Sequence, residues 1–392
     1  MEKFIPLSIP NFEGNEKKYM DEALEQGWVS TGGEYITKFE KAIARFLNTS
    51  DVAACQSGTS AIHLSLIEAG VKPGDIVIVP PLTFIAAVNS VKYQFAVPVF
   101  IDCDDSLCMD PIKLKQFCEE ECSFVNGVLI YKSKEVKAVI VVHVFGNMAD
   151  MVSILEIAHR YNLKVIEDAT EALGTHYTDG PFAGKYAGTI GDFGAFSFNG
   201  NKIITTGGGG AVTANSLNAV SHMCYLSTQA KDDIHYYIHN EVGYNYRMTN
   251  IQAALGVAQM EELPEFIRRK QVNYELYKEL FKDFEFGKIM PFRSGTASNK
   301  WFYSLEINRD KIHVPMREII TSLEKCGIQT RAVWGLVNEQ IPYHDEFAYK
   351  LEKAPYYADR ILNIPSSTQI TTEEIEVVVR RIKDVLRGFI NE

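Results

Sequence analysis

Lys202 stands in the stretch SFNGNKIITTGGGG, residues 197–210, between an aromatic strand-like run and four consecutive glycines. A lysine so placed is either a solvated surface charge or an amine partly stripped of water, whose neutral form can condense with a carbonyl. Two other segments pose comparable choices. The turn Ser57-Gly58-Thr59 opens the run SGTSAIHLSL. Its backbone N–H groups, hydroxyls and helix dipole make either an anion site or a plain capped helix start. Asp168 ends the apolar run LKVIEDA, with Glu167 before it and Glu171 after it. A carboxylate at a buried strand end needs a partner or it neutralises. That partner is either the start of the next helix or a protonated ring nitrogen of a pyridine-type cofactor.

These positions need a scaffold that gathers strand ends. Ile36, Phe39, Ile43 and Leu47 recur at helical spacing, and VAACQSGTSAIHLSLIEAG reads as a strand, a turn and a helix running to about Gly70. DIVIVPPLTF is a strand ending at prolines, IAAVNSVKYQF a helix, and VPVFIDCD a further strand. VKAVIVVHVFG is a near-continuous apolar run of the kind buried on both faces of a parallel sheet. SILEIAHRYN is an amphipathic helix, and LKVIEDA and GAFSF are strands. Strands alternating with helices imply a doubly wound α/β sheet, whose ligands sit at the carboxyl ends of the strands. Gln56 to Thr59, Thr83-Phe84, His143, Asp168 and Lys202 all fall at such ends.

After about Asn250 the character changes. IQAALGVAQMEELPEFIRRKQVNYELYKELF is a long helical stretch, expected to be interrupted at Pro264. WFYSLEIN and IQTRAVW read as strands, REIITSLEKCG and TEEIEVVVRRIKDVLRGF as helices. The expected division is an N-terminal arm with a large α/β domain over 1–255 and a small α+β domain over 256–392.

Of the 392 residues 46% are apolar and 23% charged, the balance of a folded globular chain. With 39 Lys+Arg against 50 Asp+Glu the net charge is -11, and no basic stripe interleaves with aromatics, so nucleic-acid binding has no supporting feature. Seven cysteines, odd in number and irregularly spaced, fit neither a secreted disulfide framework nor a zinc tetrad. MEKFIPLSIPNFEGNE lacks the charged start and apolar run of a signal peptide. No uncharged apolar stretch of about 18 residues offers a membrane span, so a cytoplasmic protein is expected.

Taken together, IPNFEGNE, GWVSTGGEYITKFE, QSGTSAIHLSL, PPLTFIAAVNSV, VHVFGNMADM, IEDATEALG, GDFGAFSFNGNKIITTGGGGAV and VGYNYRMTNIQAALGVAQ resemble the DegT/DnrJ/EryC1/StrS family of nucleotide-sugar aminotransferases. The resemblance covers about the first two-thirds of the chain; the remainder matches in layout only. It implies the aspartate aminotransferase-like architecture, pyridoxal-phosphate fold type I, with pyridoxal 5'-phosphate as cofactor and no metal. Lys202 would hold the cofactor through a Schiff base and then carry protons, and Asp168 would keep the ring nitrogen protonated. Gly58, Thr59 and Ser197 would bind the phosphate, and Asn245 would reach it from the second subunit of a homodimer. Phe84 would lie against the ring face, or be an ordinary core phenylalanine. Arg247 would meet the anionic nucleotide sugar, or simply pair with a carboxylate. His143 would sit near the ring, or be a satisfied core histidine. Glu171 departs from the pattern, because the family often carries Gln there, near the ring hydroxyl. An ionised Glu beside that oxygen is unfavourable, so Glu171 is either protonated or turned elsewhere.

Family members that deoxygenate C3 of the sugar carry a histidine in place of the lysine, so Lys202 points to transamination. The implied reaction passes the amino group of L-glutamate to a keto sugar. FIPLSIPNFEGNEKKYMDEALEQGWVSTGG is most similar to the branch that makes UDP-4-amino-4,6-dideoxy-N-acetylglucosamine for bacillosamine- and legionaminic-type surface glycans. The expected acceptor is therefore the C4 keto group of a UDP-4-keto-6-deoxy-N-acetylhexosamine. GDP-perosamine-type and 3-amino-sugar synthesis are the nearest rivals. A non-catalytic regulatory protein with this fold is the rival of another class, and the intact Asp168–Lys202 pair argues against it.

Overall fold

The computed structural model describes residues 4–233 and 235–390; residues 1–3, which begin the opening segment read above, and 234 and 391–392 lie outside that description. Eight strands carry the main sheet: β1 (Ala53–Cys55), β2 (Ile76–Val79), β3 (Val97–Ile101), β4 (Lys134–Val142), β5 (Lys164–Asp168), β6 (Phe193–Ser197), β7 (Gly210–Ala214) and β8 (Ala348–Tyr349). Their order across the sheet is β1-β7-β6-β5-β4-β2-β3-β8. Neighbours from β6 through β8 are parallel, while β7 runs antiparallel to both β6 and β1. A hairpin, Ser123–Val125 with Val128–Tyr131, extends from the start of β4. The apolar run of β4 is buried from Ala138 to Val142, as a strand covered on both faces requires.

The antiparallel β6–β7 pair explains the glycines after Lys202. Gly207 turns the chain with φ +78°, a conformation side chains rarely adopt. A Cβ on Gly210 would lie 2.4 Å from the backbone carbonyl of Ser57, so a glycine is what lets β7 approach the turn ahead of Gly58.

Two apolar cores lie along the chain. The larger surrounds the main sheet, and the smaller fills the space around a four-stranded antiparallel sheet of Gly287–Ile289, Tyr303–Ile307, Ile361–Ile364 and Arg331–Ala332. The helix Asn250–Leu280, opened by a Thr249–Gln252 capping box, belongs to both: Ala253, Leu263 and Phe266 bury in the first core, Tyr274 and Tyr277 in the second. Pro264 therefore does not interrupt it, contrary to expectation. An interior proline removes one N–H donor at a cost of about 3 kcal/mol, and burial on either side of it holds the helix continuous. The division expected at 255/256 falls inside this helix. The last third of the chain also returns to the main sheet, through β8 beside β3. Conversely, the N-terminal arm joins the second core: Ile5 bridges Ile328, and Leu7 accepts from the N–H of Ser366.

Candidate active site

A cavity of about 590 Å³ opens at the carboxyl ends of the main strands. Gly58, Thr59, Phe84, Asp168, Glu171, Ser197 and Lys202 line it; His143, Asn245 and Arg247 do not.

One wall is the start of the helix Gly58–Glu68. Ser57 caps it, its side chain accepting from the Ser60 N–H at 3.0 Å. The first N–H groups of a helix have no partner within it, and here they belong to Gly58 and Thr59. A Cβ on Gly58 would come within 2.8 Å of Thr170 and 2.9 Å of Ser197, so the glycine keeps this cradle open. Phe84 follows β2 and is 56% exposed at the cavity wall, so it is not an ordinary core residue.

Asp168 ends β5 and is buried, one oxygen accepting from the Thr170 N–H at 3.1 Å. Burial raises its carboxyl, with Thr170 and the nearby Lys202 opposing the shift. His143, at the end of β4, is fully buried, with Nε2 2.9 Å from Glu167 and Nδ1 accepting from the Ala149 N–H at 3.2 Å. It is thus a satisfied core histidine, the alternative left open above. Glu167 completes this support by accepting from the N–H groups of Gly188, Ile190 and Gly191.

Lys202 Nζ lies 3.4 Å from Glu171 Oε1 and 4.2 Å from the centre of the Trp301 ring. The other oxygen of Glu171 accepts from the Phe145 N–H at 2.8 Å, and Phe145 takes φ +55°. Burial pushes the Glu171 carboxyl up to about 7 against the opposing pull of Lys202.

Trp301 is the residue that sequence reasoning missed. Its indole N–H donates to the Asn201 carbonyl at 2.7 Å, which fixes the loop carrying Lys202. Its own carbonyl accepts from Lys270 at 2.8 Å, and Lys270 donates again to Ser366 at 2.5 Å. Buried on the long helix, Lys270 is pushed down to about 7 by loss of water. Arg331 and Trp334, also unforeseen, bring the small sheet's side of the cavity. The runs WFYSLEIN and IQTRAVW had signalled strands, but strand character alone does not say which residue meets a distant cavity.

Arg247 pairs with Glu40 at 2.5 Å and donates to the Ala54 carbonyl at 3.1 Å, both charged side chains nearly buried. Of its two expected roles the structure has the carboxylate pairing. Asn245 accepts from Gln229 at 3.1 Å.

The donor set fits pyridoxal phosphate. A phosphate matches a helix start with free N–H groups and flanking hydroxyls, a protonated ring nitrogen matches the buried Asp168, and an aldehyde matches Lys202. Among the described residues no three His, Cys, Asp or Glu side chains cluster to hold a metal.

Residues 10–383 match the DegT/DnrJ/EryC1/StrS aminotransferase family. The chain belongs to that family. It is a pyridoxal-phosphate-dependent nucleotide-sugar aminotransferase, with the fold of those enzymes. It is 35% identical over 384 residues to a GDP-perosamine synthase of Caulobacter vibrioides, covering 97% of this chain and 98% of the relative. It is 34% identical over 385 residues to a GDP-perosamine synthase of Escherichia coli O157:H7, with the same coverage, 97% and 98%. The fold is also that of the Helicobacter pylori aminotransferase PseC, involved in the biosynthesis of pseudoaminic acid: TM-score 0.88 at 22% identity, covering 99% of this chain and 100% of that one. The two synthases carry the name of the GDP-linked sugar rather than the UDP-linked branch suggested by the opening segment. Among the described residues no helix is long and apolar enough to cross a membrane.

Proposed function

We propose that the enzyme moves the amino group of L-glutamate to the C4 keto group of a nucleotide-linked 4-keto-6-deoxyhexose, in the cytoplasm and for bacterial surface amino sugars. One observation carries this reading: Lys202, Asp168 and the open helix start at Gly58 meet in a single cavity. Bound pyridoxal phosphate supplies an electron-withdrawing ring that stabilises negative charge on the carbon losing its proton. Lys202 takes the proton from the α-carbon of glutamate and later returns one to the sugar carbon, a positioned amine serving as base and then acid. Asp168 holds a proton on the ring nitrogen. Gly58, Thr59 and Ser197 hold the phosphate, and Phe84 bounds the ring. Trp301 keeps Lys202 in place, and Arg331 offers a cation to an anionic substrate. Asn245 serves the site of a second copy. Its place outside this chain's own cavity, on a stretch of chain whose Tyr236, Tyr237 and Val242 are exposed, supports that reading.

The names of the relatives favour a GDP-perosamine-type product, a 4-amino-4,6-dideoxyhexose. The similarity of the opening segment favours the UDP-linked N-acetyl sugar as the second reading. A visible absorbance titration separates them: glutamate should bleach the band of the loaded enzyme, and the true keto sugar should restore it. Recovery with the GDP sugar alone supports the first reading, and recovery with the UDP sugar alone overturns it. Normal turnover by Lys202→Ala would refute the role given to that lysine.

A further inference from the structure

Glu171 is fully enclosed, yet it lies against the amine that must change its bonding during the reaction. Its Oε1 is 3.4 Å from Lys202 Nζ and its Oε2 holds the Phe145 N–H at 2.8 Å. Its surroundings offer little else to balance a negative charge. Asp168 on β5 adds a second carboxylate, and the amide of Asn299 is spent on the main-chain carbonyl of Glu171. His143 and Glu167 are engaged with each other, and of the charges acting most strongly on Glu171 the cation is Lys202, not Arg331 of the same cavity. The carboxylate of Glu171 therefore depends on Lys202.

We propose that Glu171 is the proton-holding partner of Lys202: a carboxylate while Lys202 is a free ammonium, and a protonated carboxyl once Lys202 has condensed with the cofactor's aldehyde. The inference rests on the reading of Lys202 given above. In the condensation a C=N bond forms and the C=O bond breaks. The oxygen leaves as water with two of the three ammonium protons, so nitrogen keeps its charge but falls from three N–H donors to one. The cofactor's own ring oxygen competes for that one. Glu171, left without its cation's donors in a dry site, takes a proton from solvent. The direction agrees with its position at about 7 while Lys202 is still beside it, because weakening that partner can only raise it further. As a protonated carboxyl it becomes a hydrogen-bond donor, the role that a glutamine amide at this position performs without any proton change. Glu171 is thus a positioning residue that acts through Lys202, and cofactor loading in this chain is coupled to proton uptake.

The test is the number of protons taken up when pyridoxal phosphate is added to the cofactor-free protein in weak buffer, read with a pH-indicating dye. Near pH 8 the wild type should take up about one proton per site more than Glu171→Gln, and below about pH 6 the two counts should converge, because Glu171 is then protonated throughout. Equal counts at pH 8 would overturn the proposal. Infrared difference spectra of the wild type alone give a second reading, independent of how the variant folds. Loading should produce a protonated-carboxyl band, and its absence is equally fatal. Lys202→Ala separates the levels. A covalent visible band that persists in it refutes the lysine assignment and this inference together. A band lost in it, with equal proton counts in the other two proteins, refutes this inference alone.

Discussion

Replacing Lys270 with methionine tests the junction behind the active-site lysine. Lys270 donates to the carbonyls of Trp301 and Ser366 in a buried site, and burial pushes it down to about 7. A lysine in the unfolded chain holds its proton up to about 10.4. Between these values the unfolded state carries the proton and the folded state does not, so stability rises with pH. The slope is about 0.7 kcal/mol per pH unit at pH 7, where the folded lysine is half protonated, and approaches about 1.4 kcal/mol above it. From pH 7 to pH 9 the wild type should therefore gain about 2.3 kcal/mol relative to Lys270→Met, whose side chain has no proton to lose. The methionine leaves the Ser366 carbonyl without its donor and the Trp301 carbonyl with the Ser366 hydroxyl alone, a cost of about 1–3 kcal/mol for a donorless carbonyl, but that cost does not vary with pH. Urea unfolding of both proteins at pH 6, 7, 8 and 9 isolates the slope, since all other titrating groups cancel in the difference. A difference that stays constant across that range would mean that the two carbonyls keep Lys270 charged, and would refute the reasoning.

Three further outcomes are expected. Gly210→Ala places a methyl 2.4 Å from the main-chain carbonyl of Ser57, which cannot rotate away; it should cost about 1–3 kcal/mol in thermal unfolding, and an unchanged melting temperature would show that β7 shifts freely. Glu40→Gln leaves the nearly buried Arg247 unpaired and should cost about 3–5 kcal/mol in denaturant, more than Glu40→Gln combined with Arg247→Met; equal costs would rule out a coupled pair. His222 lies between Glu68 and Glu241, and although burial works against its charge, the two carboxylates raise its pKa overall. This clamp is fully present below the usual histidine value of about 6.5 and is lost as pH rises through the raised value. The stability advantage over His222→Gln should therefore shrink from pH 6 to pH 8.5, and an advantage that grows would reverse the sign of the argument.

The main sheet's chemical groups in the cavity are legible from sequence, and the reason is local. Gly58, Asp168 and Lys202 each sit where an apolar run stops, and a doubly wound sheet brings strand ends to one edge. Arg331 sits on a second sheet, with Trp301 and Trp334 just outside its strands, and the approach of that sheet to the first depends on how two cores pack, which no local pattern records. His143 and Arg247 show the opposite difficulty. A histidine at a strand end and an arginine near a tyrosine-rich turn offer chemistry by type, but Glu167 and Glu40, distant or easily overlooked in the sequence, had already engaged them. Pro264 misleads for a related reason: its cost is local, while the burial that offsets it comes from partners along the whole helix Asn250–Leu280.

The shared long helix and the arm at Ile5 also constrain how the chain can be built. On the ribosome the main sheet emerges early through β7, but Ile5 waits for Ile328 and Leu7 for Ser366. The second core gains its cover only when the helix Thr372–Gly388 is free of the exit tunnel. Until then Trp301, which packs in the main-sheet core and donates to the lysine loop, lacks the Ser366 hydroxyl on its carbonyl, and Lys270 lacks its carbonyl at Ser366. A nascent chain that stops short of Ser366 would thus expose an unfinished lysine, and a competent cavity arises only after the helix Thr372–Gly388 has been made.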